Sequence, residues 1–418
     1  MINSLLHTPE GVRDIYNGEC VKKIIIENKI HDVLKLYGYQ DIETPSFEFF
    51  DIFNKERGSV ASKDMFKLFD RDGNTLVLRP DVTPSIARCA AKYFSNESIP
   101  VKLCYTANTF INNSSYQGRL KETTQIGAEL IGEDSVIADA EILALVIDSL
   151  LNTGLKEFQI EIGHIGFFKG LVEEIGIDSN SEANLRELIQ NKNYFGVEEL
   201  VKSFGIDNEA ANTLLRLPQM FGTVELLDEA KMLTSNKTAL DAISRLAKLI
   251  DLLKLYDFDK YVSIDLGMLS NLTYYTGIMF KVYTYGTGDA IVNGGRYDKL
   301  ISQFGKDAPS IGFSITMDRL MAALNRQKID IPIAKNTTLI LYDTAKAEYA
   351  ILLAKNNRSV NMAVNLIEKD SNKSMDEYIE YCNKNYIGGI VYIKEDDTAS
   401  VINAATKTCQ DVNINDLM

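Results

Sequence analysis

The sequence is poor in the residues that build metal sites and disulfide frameworks. It contains five cysteines and three histidines among 418 residues. The cysteines are odd in number and scattered, and no two of them form a CxxC pair, so free thiols are expected and no metal site is predicted. They are Cys20, Cys89, Cys104, Cys382 and Cys409.

Long apolar runs are also missing. No stretch approaches the roughly 18 uninterrupted apolar residues that a membrane helix needs. The start of the chain, MINSLLHTPEGVRD, lacks a basic segment followed by an apolar one. A hydrophobic content of 45% and a mean hydropathy of −0.09 are typical of a globular protein, and the length allows two or three domains. We therefore expect a cytoplasmic protein without membrane contact.

An excess of basic charge is the third absence. The chain has 44 lysines and arginines against 58 aspartates and glutamates, which gives a net charge of −14 and a pI near 4.9. A protein that binds a polyanion usually presents a basic face or stripe. A local basic patch can exist inside a negative total, so the composition disfavours a tRNA partner without deciding the matter.

The first third of the chain predicts mixed helices and strands. Apolar spacing of three and four predicts a helix that Gly38 ends, and a strand follows in YQDIETPSFEFFDIF. Asp72-Gly73-Asn74 predicts a hairpin, and a helix should begin at Thr83. KLCYTANTFI and TTQIGAELIG then predict antiparallel strands flanking a polar loop at 112–122.

The remainder predicts a helical insertion and a second domain. Asp134 and Gly154 can cap an apolar helix over 136–151, and FQIEIG should be a strand. Residues 175–255 show helical periods without a strand pattern, after which strand signals return. Residues 335–418 alternate in βαβαβ order, which predicts a small parallel-sheet domain.

Several motifs occur in a specific order along the chain. They are LRPDVTPSIAR at 78–88, QIGAE at 125–129, LSNLTYYTGIMF at 269–280, GGRYDKLISQFG at 294–305 and IGFSITMDRL at 311–320. Over roughly residues 5–325 this set resembles the catalytic core of histidyl-tRNA synthetases. It is still more similar to their non-synthetase relatives, the regulatory subunits of ATP phosphoribosyltransferase, which usually have aspartate where Asp81 stands.

The resemblance implies an α+β fold of the class II aminoacyl-tRNA synthetase type. Its core would be an antiparallel sheet flanked by helices over residues 1–330, with the helical insertion at about 175–255. Residues 335–418 would form a small α/β domain that resembles an anticodon-binding domain.

A ligand site is predicted from acceptor side chains. Gln125 and Glu129 lie at even spacing on one strand and therefore face the same way, although an arbitrary pair of this kind is more often solvated. The resemblance implies that Asp81, Thr83 and Gln125 surround the α-ammonium of histidine and that Glu129 contacts its imidazole. Carboxylate and amide acceptors suit an ammonium group.

Two aromatic residues and one arginine complete the predicted histidine site. Tyr274 and Tyr275 in LTYYTG would wall the imidazole by the same resemblance, whereas two adjacent tyrosines in a strand are otherwise half core and half surface. Arg119 matches a further arginine of the family loop. It would pair either with the histidine carboxylate or with an acidic group of a partner, and the sequence favours neither alternative over the other.

The arginines that support ATP chemistry in the synthetases are replaced. Ile111 and Ser270 stand where the family has catalytic arginines, and Asn113 and Thr273 replace two acidic residues. Asp318 replaces a glutamate, whereas Arg319 is retained. Losing one group that stabilises developing charge typically costs about 10² to 10³ in rate. The sequence therefore predicts no catalytic residues, no cofactor and no enzymatic activity of its own.

These observations give one main hypothesis and two alternatives. The main one is a regulatory subunit that activates a short-form ATP phosphoribosyltransferase catalytic subunit, transmits feedback inhibition by histidine, and forms a homodimer within a hetero-oligomer. A diverged histidyl-tRNA synthetase would account for residues 335–418, but nine basic against twelve acidic residues there suit tRNA poorly. A free-standing sensor of histidine or tRNA is the third possibility.

Overall fold

The computed structural model describes residues 6–53, 60–113, 119–206, 208–270 and 274–417. The chain divides into two compact units. We call Met1–Asp14 with Ile26–Asp330 the core unit, and Ile15–Ile25 with Ile331–Met418 the C-terminal unit. The segment Ile15–Ile25 thus groups with the end of the chain, although the sequence placed it with residues 1–330.

A nine-stranded sheet forms the centre of the core unit. Its order is β1-β5-β6-β12-β11-β10-β7-β9-β8, and all neighbours are antiparallel except β1 with β5 and β7 with β9. This confirms the expected α+β fold on a largely antiparallel sheet. The strands are β1 Gln40–Asp41, β5 Val101–Phe110, β6 Glu122–Ile131, β7 Phe158–His164, β8 Phe221–Gly222, β9 Val262–Asp265, β10 Ile278–Thr284, β11 Val292–Arg296 and β12 Ser310–Thr316.

A small second sheet carries the predicted hairpin. Its order is β2-β4-β3, with β2 Phe47–Phe49, β3 Lys67–Phe69 and β4 Thr75–Leu78. Gly73 adopts a positive φ of 83° in the β3–β4 turn, a conformation that costs glycine little. The Asp72-Gly73-Asn74 signal therefore identified this turn correctly.

The helices that cover the central sheet are mostly those that the sequence predicts. The apolar segment of α3 is buried almost all round, as its continuous hydrophobicity requires. Ser135, rather than Asp134, caps α3 by accepting a hydrogen bond from the Ala138 amide, and Gly154 ends it with a left-handed φ of 99°. These helices are α2 Thr83–Tyr93, α3 Val136–Thr153, α4 Ile165–Ile175 and α10 Met317–Arg326, together with the part of α1 Asn17–Leu36 that belongs to the core unit from Ile26 onward.

The insertion between β7 and β9 is helical with one exception. Its helices are α5 Ser179–Gln190, α6 Tyr194–Ser203, α7 Asn208–Arg216, α8 Leu226–Lys231 and α9 Lys237–Leu255. The exception is β8, two residues that pair with β9, which the sequence pattern did not indicate because so short a strand has no readable alternation.

The C-terminal unit contains a mixed sheet rather than a purely parallel one. Strands β13 Thr337–Tyr342, β14 Val364–Glu368 and β15 Ile387–Ile393 pair in parallel, with helices α11 Ala347–Ser359 and α12 Met375–Lys384 between them. β16 Thr398–Asn403 and β17 Cys409–Asn413 then add an antiparallel hairpin. Among the described helices of the whole chain, none is long and apolar enough to cross a bilayer.

Candidate functional site

A cavity of about 450 Å³ lies in the core unit, within the size range of small-molecule sites. Its lining includes six of the seven predicted ligand-binding residues, and its floor comes from strands β6, β10, β11 and β12. The six are Asp81, Thr83, Gln125, Glu129, Tyr274 and Tyr275. Side chains from distant parts of the chain therefore converge on one site.

Glu129 is the most deeply buried acidic group of this cavity, with 1% of its surface exposed. The Thr83 hydroxyl donates to Glu129 Oε1 at 2.9 Å, and the Tyr297 hydroxyl donates to Oε2. Burial raises the pKa of Glu129 to about 8, although these two hydrogen bonds act in the opposite direction. Near neutral pH Glu129 is thus largely a neutral acid, able to donate as well as accept.

Asp81 lies at the beginning of α2, where the backbone turns into the helix. Its Oδ1 accepts from the Thr83 amide at 3.3 Å, and its Oδ2 accepts from the Tyr274 hydroxyl at 3.2 Å. Because burial, and after it the adjacent Asp81 charge, disfavour a phenolate, the pKa of Tyr274 is raised well above its ordinary value. Tyr274 therefore remains a hydrogen-bond donor that orients Asp81.

Gln125 lies on the same face of β6 as Glu129, as the even spacing predicts. Both side chains line the cavity. The Gln125 Oε1 atom is buried and has no hydrogen-bond partner among the described residues. Buried acceptors are nearly always satisfied in native proteins, so an unpaired one in a cavity indicates a place for a donor from a ligand or a water molecule.

Glycines on the neighbouring strands make room for these side chains. A Cβ atom on Gly312 would lie 1.6 Å from Glu129 Oε2, and one on Gly295 would lie 2.7 Å from Tyr275 Cε1. Both glycines line the cavity. Tyr275 follows Tyr274 in the turn before β10 and not in a strand, and the two rings meet edge to face at 5.1 Å.

Two residues that the sequence analysis expects in place of catalytic arginines also lie at the cavity wall. They are Ile111 and Ser270, which present an apolar side chain and a small hydroxyl to the cavity. Asn113 is partly buried and donates to the Leu120 carbonyl at 3.5 Å. Thr273 and the middle of the polar loop, residues 114–118, lie outside the described residues.

Arg319 and Arg296 are both engaged by protein groups. Arg319 lines the cavity, where its guanidinium donates to the Ala290 carbonyl at 2.7 Å and pairs with Asp289 at 3.2 Å. Asp318 lies 3.9 Å from Arg13. Arg296, 1% exposed, pairs with Asp139 at 2.6 Å and with Asp298 at 3.2 Å, which makes it part of the buried framework.

Arg119 and Tyr297 differ most from the sequence prediction. Arg119 is exposed and is not among the lining residues, so the structure does not bring it to the other six. Tyr297 was missed as a site residue, although it follows Arg296 in the GGRYD motif and could have been found there. Its side chain is 2% exposed and holds Glu129.

The chemistry of the cavity suits an organic cation with apolar parts. Asp81, Glu129 and Gln125 supply acceptors, and the tyrosine rings supply flat apolar walls. Among the lining residues that the structure describes there is no histidine or cysteine, so the donor set does not favour a transition metal.

Comparison with known proteins places these features in a family. The histidyl-tRNA synthetase family profile matches residues 11–320. The ATP phosphoribosyltransferase regulatory subunit of Acetivibrio thermocellus is 38% identical over 99% of this chain and 98% of its own length. That of Clostridium acetobutylicum is 38% identical over 93% of this chain and 96% of its own length.

Solved structures show the same relationship. The crystal structure of an ATP phosphoribosyltransferase regulatory subunit/histidyl-tRNA synthetase from Bacillus halodurans superposes with a TM-score of 0.83 at 31% identity, covering 93% of this chain and 98% of that one. Histidyl-tRNA synthetase from Nostoc sp. gives a TM-score of 0.79 at 20% identity, with 98% of each chain covered, which shows the shared fold alone.

The fold and the cavity in the core unit define a class II synthetase-like protein of the histidyl type. Because relatives that share more than a third of its residues over nearly their whole length carry one common name, the family can be stated more closely. The chain belongs to the ATP phosphoribosyltransferase regulatory subunits.

Proposed function

We propose that this chain is the non-catalytic regulatory subunit of a short-form ATP phosphoribosyltransferase. It activates a catalytic subunit that lacks its own regulatory domain, and it transmits feedback inhibition when histidine fills the cavity. The chain would form a homodimer within a hetero-oligomer, and neither tRNA nor a membrane is part of the proposal. The names of the relatives support the assignment to this enzyme complex.

The observation that carries the proposal is the unpaired acceptor of Gln125 beside Glu129 and Asp81 in one cavity. An α-ammonium group supplies three donors, and the Gln125 Oε1 and Asp81 carboxylate are acceptors of the required kind. Glu129 offers the imidazole a single buried hydrogen-bonding group that Thr83 and Tyr297 hold in place. Tyr274 and Tyr275 would pack beside the imidazole ring.

The same cavity is poorly equipped for activating an amino acid with ATP. The Ile111 side chain offers no hydrogen-bond donor, and the Ser270 hydroxyl offers no positive charge. The guanidinium of Arg319 is already paired with Asp289. A site with acceptors for the amino acid but few free cations for the phosphates supports binding without adenylate formation.

Regulation requires that histidine prefer the inhibited arrangement of the complex. A coupling free energy of about 1 to 3 kcal/mol, which is ordinary for allosteric proteins, would shift the equilibrium between the active and inhibited arrangements by roughly 5- to 150-fold. By reciprocity, substrates that favour the active arrangement would weaken histidine binding by the same factor.

The decisive experiment measures phosphoribosyl-ATP formation by a short-form catalytic subunit, with and without this chain, across a histidine titration. We expect activation that histidine reverses, and we expect Tyr275→Ala and Glu129→Ala to keep the activation but lose the reversal. Gly288→Ala serves as the control, because Gly288 is exposed and has nothing within 4 Å of a new Cβ. Absence of any effect on the rate would contradict the proposal.

A diverged histidyl-tRNA synthetase is the second candidate, and it is favoured by the match of residues 11–320 to the histidyl-tRNA synthetase family profile. ATP–pyrophosphate exchange in the presence of histidine separates the two functions. The regulatory proposal predicts no exchange above background.

Deleting the C-terminal β13–β17 region without effect on the histidine response would support a packing or assembly role for that region.

A further inference from the structure

A second group of ligating side chains lies at the β1 edge of the nine-stranded sheet. Asp41 on β1 and Cys104 on β5 are register partners in the one parallel pair at that edge. His31 and Lys35, one turn apart on α1, both reach the Asp41 carboxylate. A helix and two strands of the core unit therefore bring four polar side chains together.

The contacts within this group are short and specific. His31 Nε2 lies 2.6 Å from Asp41 Oδ1, and the Cys104 thiol donates to the same oxygen at 3.4 Å. Lys35 Nζ binds the other oxygen, Oδ2, at 2.6 Å. The ligand atoms of His31, Asp41 and Cys104 all lie within 4.8 Å of one another. Within the part of the chain that the structure describes, this is the one such cluster of three.

We propose that His31 Nε2, Asp41 Oδ1 and Cys104 Sγ bind a divalent transition metal of the zinc class. One nitrogen, one oxygen and one sulfur ligand form a donor set that zinc accepts, with a water molecule in the fourth position. On binding, the thiol proton leaves to solvent and the imidazole coordinates as the neutral ring. No oxidation or reduction takes part.

The site needs only a small adjustment to reach tetrahedral geometry. Metal–nitrogen and metal–oxygen bonds of about 2.0–2.2 Å separate two tetrahedral ligand atoms by about 3.3 Å. The His31–Asp41 distance would therefore open from 2.6 Å. Cys104 is fully buried, whereas the side chains of His31 and Asp41 are 38% and 62% exposed, so the two that must move are free to do so.

Lys35 has two opposing effects on this site. Its contact with Oδ2 orients the carboxylate so that Oδ1 points toward His31 and Cys104, which is how hydrogen-bonded partners commonly position metal ligands. Its positive charge also repels a cation. Lys35→Met keeps the aliphatic stem and removes the charge, so it tests which of the two dominates.

The test uses the full chain after removal of any affinity tag and of bound metal, kept reduced, and titrated with Co²⁺ alone. We expect one equivalent of Co²⁺ to produce a thiolate-to-cobalt charge-transfer band that Zn²⁺ then abolishes. Zn²⁺ should also raise the Tm, because it binds the folded site. Cys104→Ser should remove the band, and His31→Ala should weaken Co²⁺ binding at least about tenfold.

Matched controls use the cysteines outside the cluster. Cys409→Ser and Cys20→Ser should retain the band, since Cys409 is exposed and neither residue belongs to the group. Because Cys104→Ser alters a buried position, His31→Ala provides the independent variant on a partly exposed side chain. No band in the unsubstituted chain, or a band that survives both His31→Ala and Cys104→Ser, would overturn the proposal.

Discussion

Gly312 on β12 lies opposite Glu129 on β6, and the Glu129 carboxylate occupies the space that a side chain at position 312 would need. A Cβ atom there would lie 1.6 Å from Glu129 Oε2. The backbone of one strand thus accommodates the buried acid of its neighbour. The orientation of Glu129 toward Thr83 and Tyr297 therefore depends on Gly312 having no side chain.

Gly312→Ala should weaken histidine binding by at least about tenfold, which corresponds to about 1.4 kcal/mol. The new methyl group forces the carboxylate from its place, so the contacts with Thr83 and Tyr297 are lost. Isothermal titration calorimetry with histidine measures the change. Gly288→Ala, which meets nothing within 4 Å, should leave the affinity unaltered. Equal affinities of all three proteins would show that Glu129 does not contact the ligand.

Glu129→Gln should change how stability depends on pH. The folded-state pKa of Glu129 is raised to about 8 from an ordinary value of 4.5, so the folded protein retains a proton that the unfolded chain has released. Its contribution to stability is complete below pH 4.5 and is lost as the pH rises toward about 8. Glutamine does not titrate, so the variant's Tm relative to wild type should rise across this range and level off above it.

Thermal unfolding of both proteins in a series of buffers measures this difference. The same experiment on Thr83→Val provides a useful comparison, because removing one hydrogen bond to the carboxylate raises its pKa further and extends the range upward. A Tm difference that stays constant between pH 4.5 and 8 would mean that Glu129 is ionised in the folded protein.

Gln125→Leu should separate ligand binding from folding. The Gln125 Oε1 atom has no partner among the described residues, so an apolar side chain of similar size should leave the ligand-free Tm unchanged or raise it. Loss of an acceptor for an ammonium group should cost about 1.5–3 kcal/mol of histidine affinity. Calorimetry and thermal unfolding of the same samples measure both effects.

Ser85→Ala is the matched control for that variant. Its hydroxyl is likewise buried without a hydrogen-bond partner in the part of the chain that the structure describes, but Ser85 does not line the cavity. Its removal should leave histidine affinity unchanged and should not lower the Tm. If Gln125→Leu binds histidine as tightly as wild type, then Gln125 is not part of the ligand site.

Asp139→Ala should destabilise the core unit by about 3–5 kcal/mol, because it leaves two arginines without their buried partner. Asp139 is fully buried and receives hydrogen bonds from Arg296 at 2.6 Å and from Arg245 at 2.6 Å. Denaturant unfolding measures the loss. Asp241→Ala removes the exposed i,i+4 pair with Lys237 and should cost less than about 1 kcal/mol. Similar losses in the two variants would contradict the role of this network.

The sequence was a good guide where structure follows local patterns. The turn at Gly73, the end of α3 at Gly154, and the paired strands β5 and β6 were all predicted, because each rests on positive φ or on a period of two within a few residues. The cap of α3 was placed one residue too early, since Asp134 and Ser135 are both good capping residues and only the geometry selects Ser135.

The site was predicted in outline by resemblance, and its role in binding histidine stays a prediction. Six of the seven residues line one cavity, which the even spacing of Gln125 and Glu129 could not establish alone. Arg119 is absent from that lining, and Tyr297 was not predicted because its contact with Glu129 joins residues far apart in the sequence. The mixed sheet of the C-terminal unit was missed because its last two strands follow the βαβαβ pattern.

By itself, the sequence determined the class of fold and the order of the helices and most strands, and by resemblance it predicts that Ile111 and Ser270 stand in place of catalytic arginines. These features depend on the identity of residues and on periodicity along the chain. The tertiary structure alone decided that Gly312 accommodates Glu129, that Tyr297 holds it, and that His31 and Cys104 meet at Asp41. Such contacts depend on the register between strands far apart in sequence, where a shift of one residue turns every side chain to the other face.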